Sequence, residues 1–105
     1  NIGRAAYSSS KSALSSFSKV LSRELGAYGI RVNSISPGLI DTEMMKNSTS
    51  KDYLENIMKD IPLRRIGEPI DISNFVLFLI SDYSKYITGQ DFRIDGGLVW
   101  LIILI

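Results

Sequence analysis

The stretch GIRVNSISPG, residues 29–38, predicts a buried β-strand that begins after a helix and ends at a turn. Ile30, Val32 and Ile35 are β-branched, and they alternate imperfectly with polar residues. The Pro37-Gly38 pair then interrupts the pattern, because proline and glycine are strong turn signals. We therefore expect a strand over residues 30–36.

Helical patterns lie on both sides of this strand. Before it, apolar residues recur at spacings of three, four and seven through residues 5–26, as in an amphipathic helix. A third main helix, at 68–82, has an apolar centre, residues 75–80, that should be well buried. The other predicted elements are a short helix near 42–46, a helix at 50–60, a turn at Thr88-Gly89 and a strand at 91–94.

This order of elements is typical of an α/β fold with parallel strands. Because two strands are too few for a stable sheet, we interpret the chain as the C-terminal part of a doubly wound parallel-sheet (Rossmann) fold with three main helices. Residues 1–97 are predicted to be one portion of a single domain. Residues 98–105, LVWLIILI, form an apolar tail that is predicted to be a buried strand rather than the start of a membrane segment.

Composition excludes several kinds of chemistry. The 105 residues include no cysteine and no histidine, so disulfides, thiolate catalysis, Cys-ligated zinc and His-activated nucleophiles are all excluded. We expect no metal site. Acid–base chemistry near neutral pH must then use Tyr, Lys, Asp or Glu. A net charge of +1 argues against a nucleic-acid partner, and the apolar tail is too short to cross a membrane.

The stretch YSSSK, residues 7–11, allows three interpretations. Ser8 and Lys11 have the Ser-x-x-Lys spacing of acyl transferases, but the accompanying motifs of those enzymes are missing. The serines are also typical of an ordinary polar helix turn. In the third interpretation Tyr7 is a general acid–base, and the Lys11 ammonium one turn away stabilises its phenolate form.

Residues downstream favour the third interpretation. Tyr7 and Lys11 form a Tyr-x-x-x-Lys motif, which is followed in order by GIRVNSISPGLIDTEM at 29–44 and YITGQDFRIDGG at 86–97. In this combination the chain resembles the C-terminal part of a short-chain dehydrogenase/reductase. The segment RRIGEPIDI, 64–72, further resembles the 3-oxoacyl-carrier-protein reductase-like members.

The resemblance implies a role for each matching residue. Tyr7 is implied as the catalytic acid–base, and Lys11 as the residue that binds the nicotinamide ribose and supports Tyr7. The cofactor-binding residues implied are Tyr7, Lys11, Pro37, Gly38, Ile40 and Thr42. Ile40 would contact the nicotinamide carboxamide through its backbone. Thr42 would form a hydrogen bond to the carboxamide or pyrophosphate region of the cofactor. On spacing alone it is equally well placed to cap a short helix.

The resemblance also implies a cofactor, NAD or NADP, and a small-molecule carbonyl or alcohol substrate under a lid at 44–63. Met44, Met45, Tyr53 and Met58 would line the lid, although packing in the core is the more ordinary expectation for Met58. The complete protein is expected to be a cytoplasmic homotetramer. The family's glycine-rich phosphate loop and catalytic serine lie upstream of its tyrosine and are not in this chain. We therefore expect these 105 residues alone to bind no dinucleotide. The alternative is a truncated, non-catalytic scaffold of the same fold.

Overall fold

The structure is a computed structural model that describes residues 4–98, with the side chains of Arg4 and Met44 excepted. The predicted strand in the tail therefore lies almost wholly outside the described residues. The described elements are α1 (Arg4–Leu25), a 3-10 turn (Gly26–Tyr28), β1 (Ser34–Pro37), α2 (Glu43–Ser48), α3 (Lys51–Met58), α4 (Pro69–Ile80), a second 3-10 turn (Asp82–Ser84) and β2 (Asp91–Ile94).

The two strands pair in parallel, which confirms the predicted α/β class. The N–H of Ser34 donates to the carbonyl of Gln90 at 2.9 Å, and the N–H of Gly38 donates to the carbonyl of Ile94 at 2.9 Å. Four residues on one strand thus correspond to four on the other, so the strands run in the same direction. The strand predicted at 91–94 has the predicted bounds.

The first strand was predicted to begin too early. The N–H of Val32 donates to the side-chain hydroxyl of Thr88 at 3.0 Å, and the carbonyl of Val32 accepts from the N–H of Gly89 at 2.7 Å. This side-chain contact replaces a regular backbone ladder, so residues 31–33 are irregular and β1 begins at Ser34.

Pro37 is the last residue of β1 rather than the residue that interrupts it. The donors that face β2 are those of Ser34 and Gly38, and amide directions alternate along a strand. The nitrogen of Pro37 therefore points away from β2, where its missing N–H costs no ladder hydrogen bond.

The chain divides into two compact units. Of the described residues, the first contains 4–35 and 78–92, and the second contains 36–77 and 93–98. The assignment of residues 1–97 to a single domain stays a prediction.

In the first unit, α1 turns a serine face inward. Ser18 and Ser22 are only 8% and 7% exposed, and their hydroxyls donate to the helix carbonyls of Leu14 and Lys19. A Cβ at Gly89 would lie 2.7 Å from the Ser22 hydroxyl, so small residues on both sides permit this close approach.

The apolar stripe of α1 is largely uncovered among the described residues. Leu14, Phe17 and Val20 are each more than half exposed. A pair of four-residue strands offers too little surface to cover both the serine face and the apolar stripe of a 22-residue helix.

Arg31 stabilises the end of α4 in the first unit. Its guanidinium donates to the carbonyls of Leu79 at 2.6 Å and Ile87 at 3.0 Å. The last carbonyls of a helix lack partners within the helix, and a cation there also complements the helix dipole. Arg31 thus connects the end of α4 to the segment that leads into β1.

The second unit has a small apolar core. Ile57, Ile61 and Leu98 are 8%, 2% and 5% exposed. Within α3, Ile57 contributes to this core, whereas Tyr53 is 52% exposed.

The prediction that the centre of α4 is well buried was also wrong. Leu77 is 61% exposed and Ile80 is 72% exposed, and no described residue of α4 is buried. An apolar helix is buried only where other elements cover it, and the described elements leave these side chains uncovered.

Candidate active site

Tyr7 and Lys11 lie one turn apart near the start of α1. The Lys11 Nζ is 5.2 Å from the centre of the Tyr7 ring, within the range of a cation–π contact. Tyr7 is 63% exposed and Lys11 is also exposed. The helix alone therefore brings together the predicted acid–base and its ammonium, and both are accessible to a ligand.

Ser8 lies on the same turn but does not contact Lys11. No hydrogen bond joins the two side chains in the part of the chain that the structure describes, and Ser8 is exposed on α1. The choice of Tyr7 over the Ser-x-x-Lys dyad stays a prediction.

Gly38 occupies a tight position at the end of β1. A Cβ placed on Gly38 would lie 2.7 Å from the Cα of Asp95, closer than real Cβ atoms approach a backbone atom. The resemblance implied Gly38 as a cofactor-binding residue. The structure adds a reason within the chain, because the turn after β2 already requires a residue without a side chain at this point.

Ile40 is held by its neighbours rather than by its own peptide groups. It forms an isolated parallel bridge with Gly67. The N–H of Gly67 donates to the carbonyl of Leu39 at 2.9 Å, and the N–H of Asp41 donates to the carbonyl of Gly67 at 2.7 Å. In such a bridge the N–H and C=O of Ile40 point to the opposite edge, and within residues 4–98 neither has a hydrogen-bond partner.

Thr42 caps α2. Its hydroxyl oxygen accepts from the N–H of Met45 at 3.2 Å, which is the helix-capping role that the sequence left open. The hydroxyl proton remains able to donate to a second group, since a threonine hydroxyl both donates and accepts. Capping and cofactor contact are therefore compatible.

The predicted lid contains α2 and α3. Ser50 caps α3 by accepting from the N–H of Tyr53 at 3.2 Å. Tyr53 is exposed, and Met45 and Met58 are half-buried. Whether these side chains line a substrate pocket stays a prediction.

Sequence reasoning assigned no role to three residues beside Ile40. The Arg65 guanidinium donates to both carboxylate oxygens of Asp71, at 2.8 and 3.2 Å. Asp71 also accepts from the N–H of Glu68 at 2.7 Å. Between these two anchors lies Gly67. The signal was present in RRIGEPIDI, which the resemblance singled out without assigning a role.

The Arg65–Asp71 pair has an electrostatic consequence. The hydrogen bond from Arg65, with that from the Glu68 N–H, lowers the pKa of Asp71 to about 2, and the same hydrogen bond raises the pKa of Arg65 above its usual value. Both members of the pair are therefore charged near neutral pH.

A cavity of about 220 Å³ lies beside this pair within the second unit. Its apolar wall includes Leu39, Ile40 and Ile94, and its polar wall includes Arg65 and Asp71. Among residues 4–98 there is no group of three or more acidic residues that could hold a metal ion.

The proposed site residues divide between the two units. Tyr7 and Lys11 belong to the first, and Pro37, Gly38, Ile40 and Thr42 belong to the second. Parallel strands joined through helices, with polar groups just beyond the carboxyl end of β1, define the class of Rossmann-type proteins.

Comparison with known proteins identifies the family. The sequence model of the family described as enoyl-(acyl carrier protein) reductase matches residues 2–99. The 3-oxoacyl-[acyl-carrier-protein] reductase of Chlamydia trachomatis serovar D is 47% identical over 97 residues, which are 91% of this chain and 38% of that protein. The chain belongs to the short-chain dehydrogenase/reductase family and is 3-oxoacyl-[acyl-carrier-protein] reductase-like.

Solved structures of similar sequence have the same fold as this chain. A 3-oxoacyl-[acyl-carrier protein] reductase from Brucella melitensis superposes with a TM-score of 0.82 at 38% identity, over 88% of this chain and 34% of that one. A 4-hydroxyisoleucine dehydrogenase mutant, complexed with NADH and succinate, gives a TM-score of 0.83 at 44% identity, over 90% of this chain and 40% of that one. The chain thus spans about two fifths of the length of the relatives it matches.

Proposed function

We propose that the complete protein containing this chain is an NAD- or NADP-dependent oxidoreductase that interconverts a carbonyl and a secondary alcohol. The observation that carries the proposal is the Tyr7–Lys11 pair, with the ammonium 5.2 Å from the phenol ring and both groups accessible. Family membership supports it, and a similar solved structure contains NADH.

Tyr7 moves the proton in this proposal. Its phenol donates to the carbonyl oxygen of the substrate during reduction, and its phenolate accepts the proton from the alcohol during oxidation. The Lys11 ammonium stabilises the phenolate through its charge, and its N–H donors can also bond the hydroxyls of a ribose. The nicotinamide, when bound, supplies or accepts the hydride.

The second unit offers groups that fit a nicotinamide carboxamide. A carboxamide carries one acceptor oxygen and an amino donor, and the outward N–H and C=O of Ile40 complement both. The Thr42 hydroxyl can donate to the cofactor while it caps α2. Pro37 and Gly38, at the end of β1, would form the backbone surface beside the ring.

We also propose that the complete protein is a cytoplasmic homotetramer. Exposed apolar side chains support the assembly into an oligomer, because such surfaces often mark contacts between subunits. These side chains are Leu14, Phe17 and Val20 on α1, and Leu77 and Ile80 on α4. Among residues 4–98, no helix is both long and apolar enough to cross a membrane. A single monomer mass in sedimentation of the complete protein at micromolar concentration would contradict the tetramer.

The test of the proposed chemistry is Tyr7→Phe in the complete protein. Phenylalanine keeps the ring but removes the transferable proton, so turnover of a 3-oxoacyl thioester should fall about a hundredfold to ten-thousandfold, with cofactor affinity retained. Tyr83→Phe is the control, since Tyr83 is 91% exposed and has no proposed role.

A wild-type protein that binds the cofactor but reduces no carbonyl would favour the non-catalytic scaffold. Unchanged turnover in Tyr7→Phe would contradict the assignment of the acid–base.

A further inference from the structure

We propose that Gly67 is a positioning residue: its bridge to Ile40, fixed by the Arg65–Asp71 pair, sets the peptide groups that receive the cofactor. This inference rests on the proposed function, because it deepens the role given there to Ile40. Gly67 itself contacts no cofactor in the proposal and acts through Ile40 alone.

The bridge to Gly67 determines the direction of the Ile40 peptide groups. Gly67 uses both its N–H and its C=O on this bridge, to Leu39 at 2.9 Å and to Asp41 at 2.7 Å. These two bonds fix the extended conformation of residues 39–41. They leave the N–H and C=O of Ile40 on the other edge, arranged as a strand edge is arranged to receive a further partner.

Gly67 also lies close to the Ile40 side chain. A Cβ on Gly67 would lie 2.7 Å from the Ile40 Cδ1 and 3.4 Å from the Leu39 carbonyl oxygen. The Cδ1 contact is too short to persist, so a side chain at 67 must shift at least the end of the Ile40 side chain. The constraint at position 67 comes from this contact, not from an unusual backbone angle, since Gly67 is not among the glycines with positive φ.

Hydrogen bonds to Asp71 hold the residues on both sides of Gly67 in place. Asp71 accepts two hydrogen bonds from the Arg65 side chain on one side of Gly67 and one from the Glu68 N–H on the other. The N–H of Asp71 in turn donates to the Glu68 carbonyl at 2.9 Å. Both flanks of Gly67 are thus fixed to the first turn of α4, which is a regular element.

The experiment uses three variants of the complete protein: Gly67→Ala, Ile40→Val and the double variant. Valine lacks the Cδ1 atom that a Cβ at position 67 would meet, so it should relieve the contact specifically. Gly26→Ala is the matched control, because a Cβ at Gly26 meets nothing within 4 Å and Gly26 has no positive φ. Affinity for NADH and NADPH is measured by nicotinamide fluorescence, with kcat at saturating cofactor.

In Gly67→Ala, the Kd of the preferred nucleotide should rise about tenfold, while kcat at saturation changes by less than about twofold. The double variant should bind within about twofold of Ile40→Val. Asp71→Asn should raise Kd in the same direction by about threefold, and it decides the matter if Gly67→Ala does not fold. Gly26→Ala should bind like wild type.

Wild-type affinity in both Gly67→Ala and Asp71→Asn would overturn the inference, as would a double variant that binds as weakly as Gly67→Ala. A loss of kcat without a change in Kd would also overturn it. Failure of the proposed function is recognised separately, because the wild-type protein itself would then bind neither nucleotide, and the inference would fall with it.

Discussion

The two parts of the candidate site are built in different ways. Tyr7 and Lys11 stand on consecutive turns of one helix, and both side chains are exposed. Residues 38–42 follow the end of β1, and hydrogen bonds to residues far along the chain, Ile94 and Gly67, hold their backbone. One part needs only a helix, and the other needs the second unit to be folded.

This difference separates chemistry from stability. A side chain that is exposed and bonded to nothing else can be replaced with little cost in folding free energy. A backbone segment fixed by close contacts cannot change without strain. We therefore expect substitutions at Tyr7 and Lys11 to affect turnover, and substitutions in 37–42 to affect stability and cofactor binding together.

Lys11→Ala tests the first half of the comparison and, after Tyr7→Phe, has the largest expected effect. Removal of the ammonium takes away both the charge beside Tyr7 and the donors proposed for the ribose, so kcat/KM should fall about a hundredfold or more. The melting temperature should stay near that of wild type. Lys19→Ala, on the same helix and also exposed, is the control for loss of a charge. A large drop in melting temperature would show that the pair is structural.

Gly38→Ala tests the second half. The new Cβ would lie 2.7 Å from both the Cα and the Cβ of Asp95, so backbone must move, and the free energy of unfolding should fall by about 1–3 kcal/mol. Denaturant unfolding measures this. Gly26→Ala should be neutral or slightly stabilising, because alanine restricts the unfolded chain without a contact in the folded one. Equal stability of the two variants would contradict the tight position at Gly38.

The same difference explains what the sequence predicted. The placement of Tyr7 and Lys11 on one helix follows from helical periodicity alone, and β2 is bounded by clear turn signals, so the helix and the strand were both predicted correctly. The start of β1 was missed because a threonine side chain, Thr88, 56 residues away, takes the N–H of Val32. A hydrogen bond of that range leaves no local signal.

The burial of the helices could not be predicted for a related reason. Periodicity identifies an apolar face but not whether another element covers it, so residues 75–80 were expected to be buried, whereas Ile80 is exposed. Gly67 was missed because its importance comes from one contact with Ile40, which only the fold brings about.

Thr42→Ala has a smaller expected effect and joins the two halves of the comparison. The substitution removes the acceptor for the Met45 N–H, which should lower stability by about 1 kcal/mol, and removes the hydroxyl proposed for the cofactor. Thr42→Ser keeps both functions and should behave like wild type. If Thr42→Ala changes stability without changing cofactor Kd, Thr42 is a helix cap and nothing more.

The pH dependence of Asp71 is the smallest expected effect, because its side chain is 31% exposed and ion pairs accessible to solvent contribute little. Its folded pKa is about 2, below the ordinary value of 3.8, so its stabilising contribution is fully present above about 3.8 and is lost as pH falls towards about 2. Arg65, whose pKa is raised, stays charged throughout this window.

Asp71→Asn keeps an acceptor for the Glu68 N–H but cannot be ionised. Thermal unfolding should therefore show wild type more stable than Asp71→Asn at neutral pH, with a difference that shrinks between about 3.8 and about 2. Other carboxylates titrate in both proteins and cancel in this difference. A gap that stays constant with pH would mean that the charge of Asp71 does not hold the segment around Gly67. The fixed geometry of residues 37–42 would then depend on backbone packing alone.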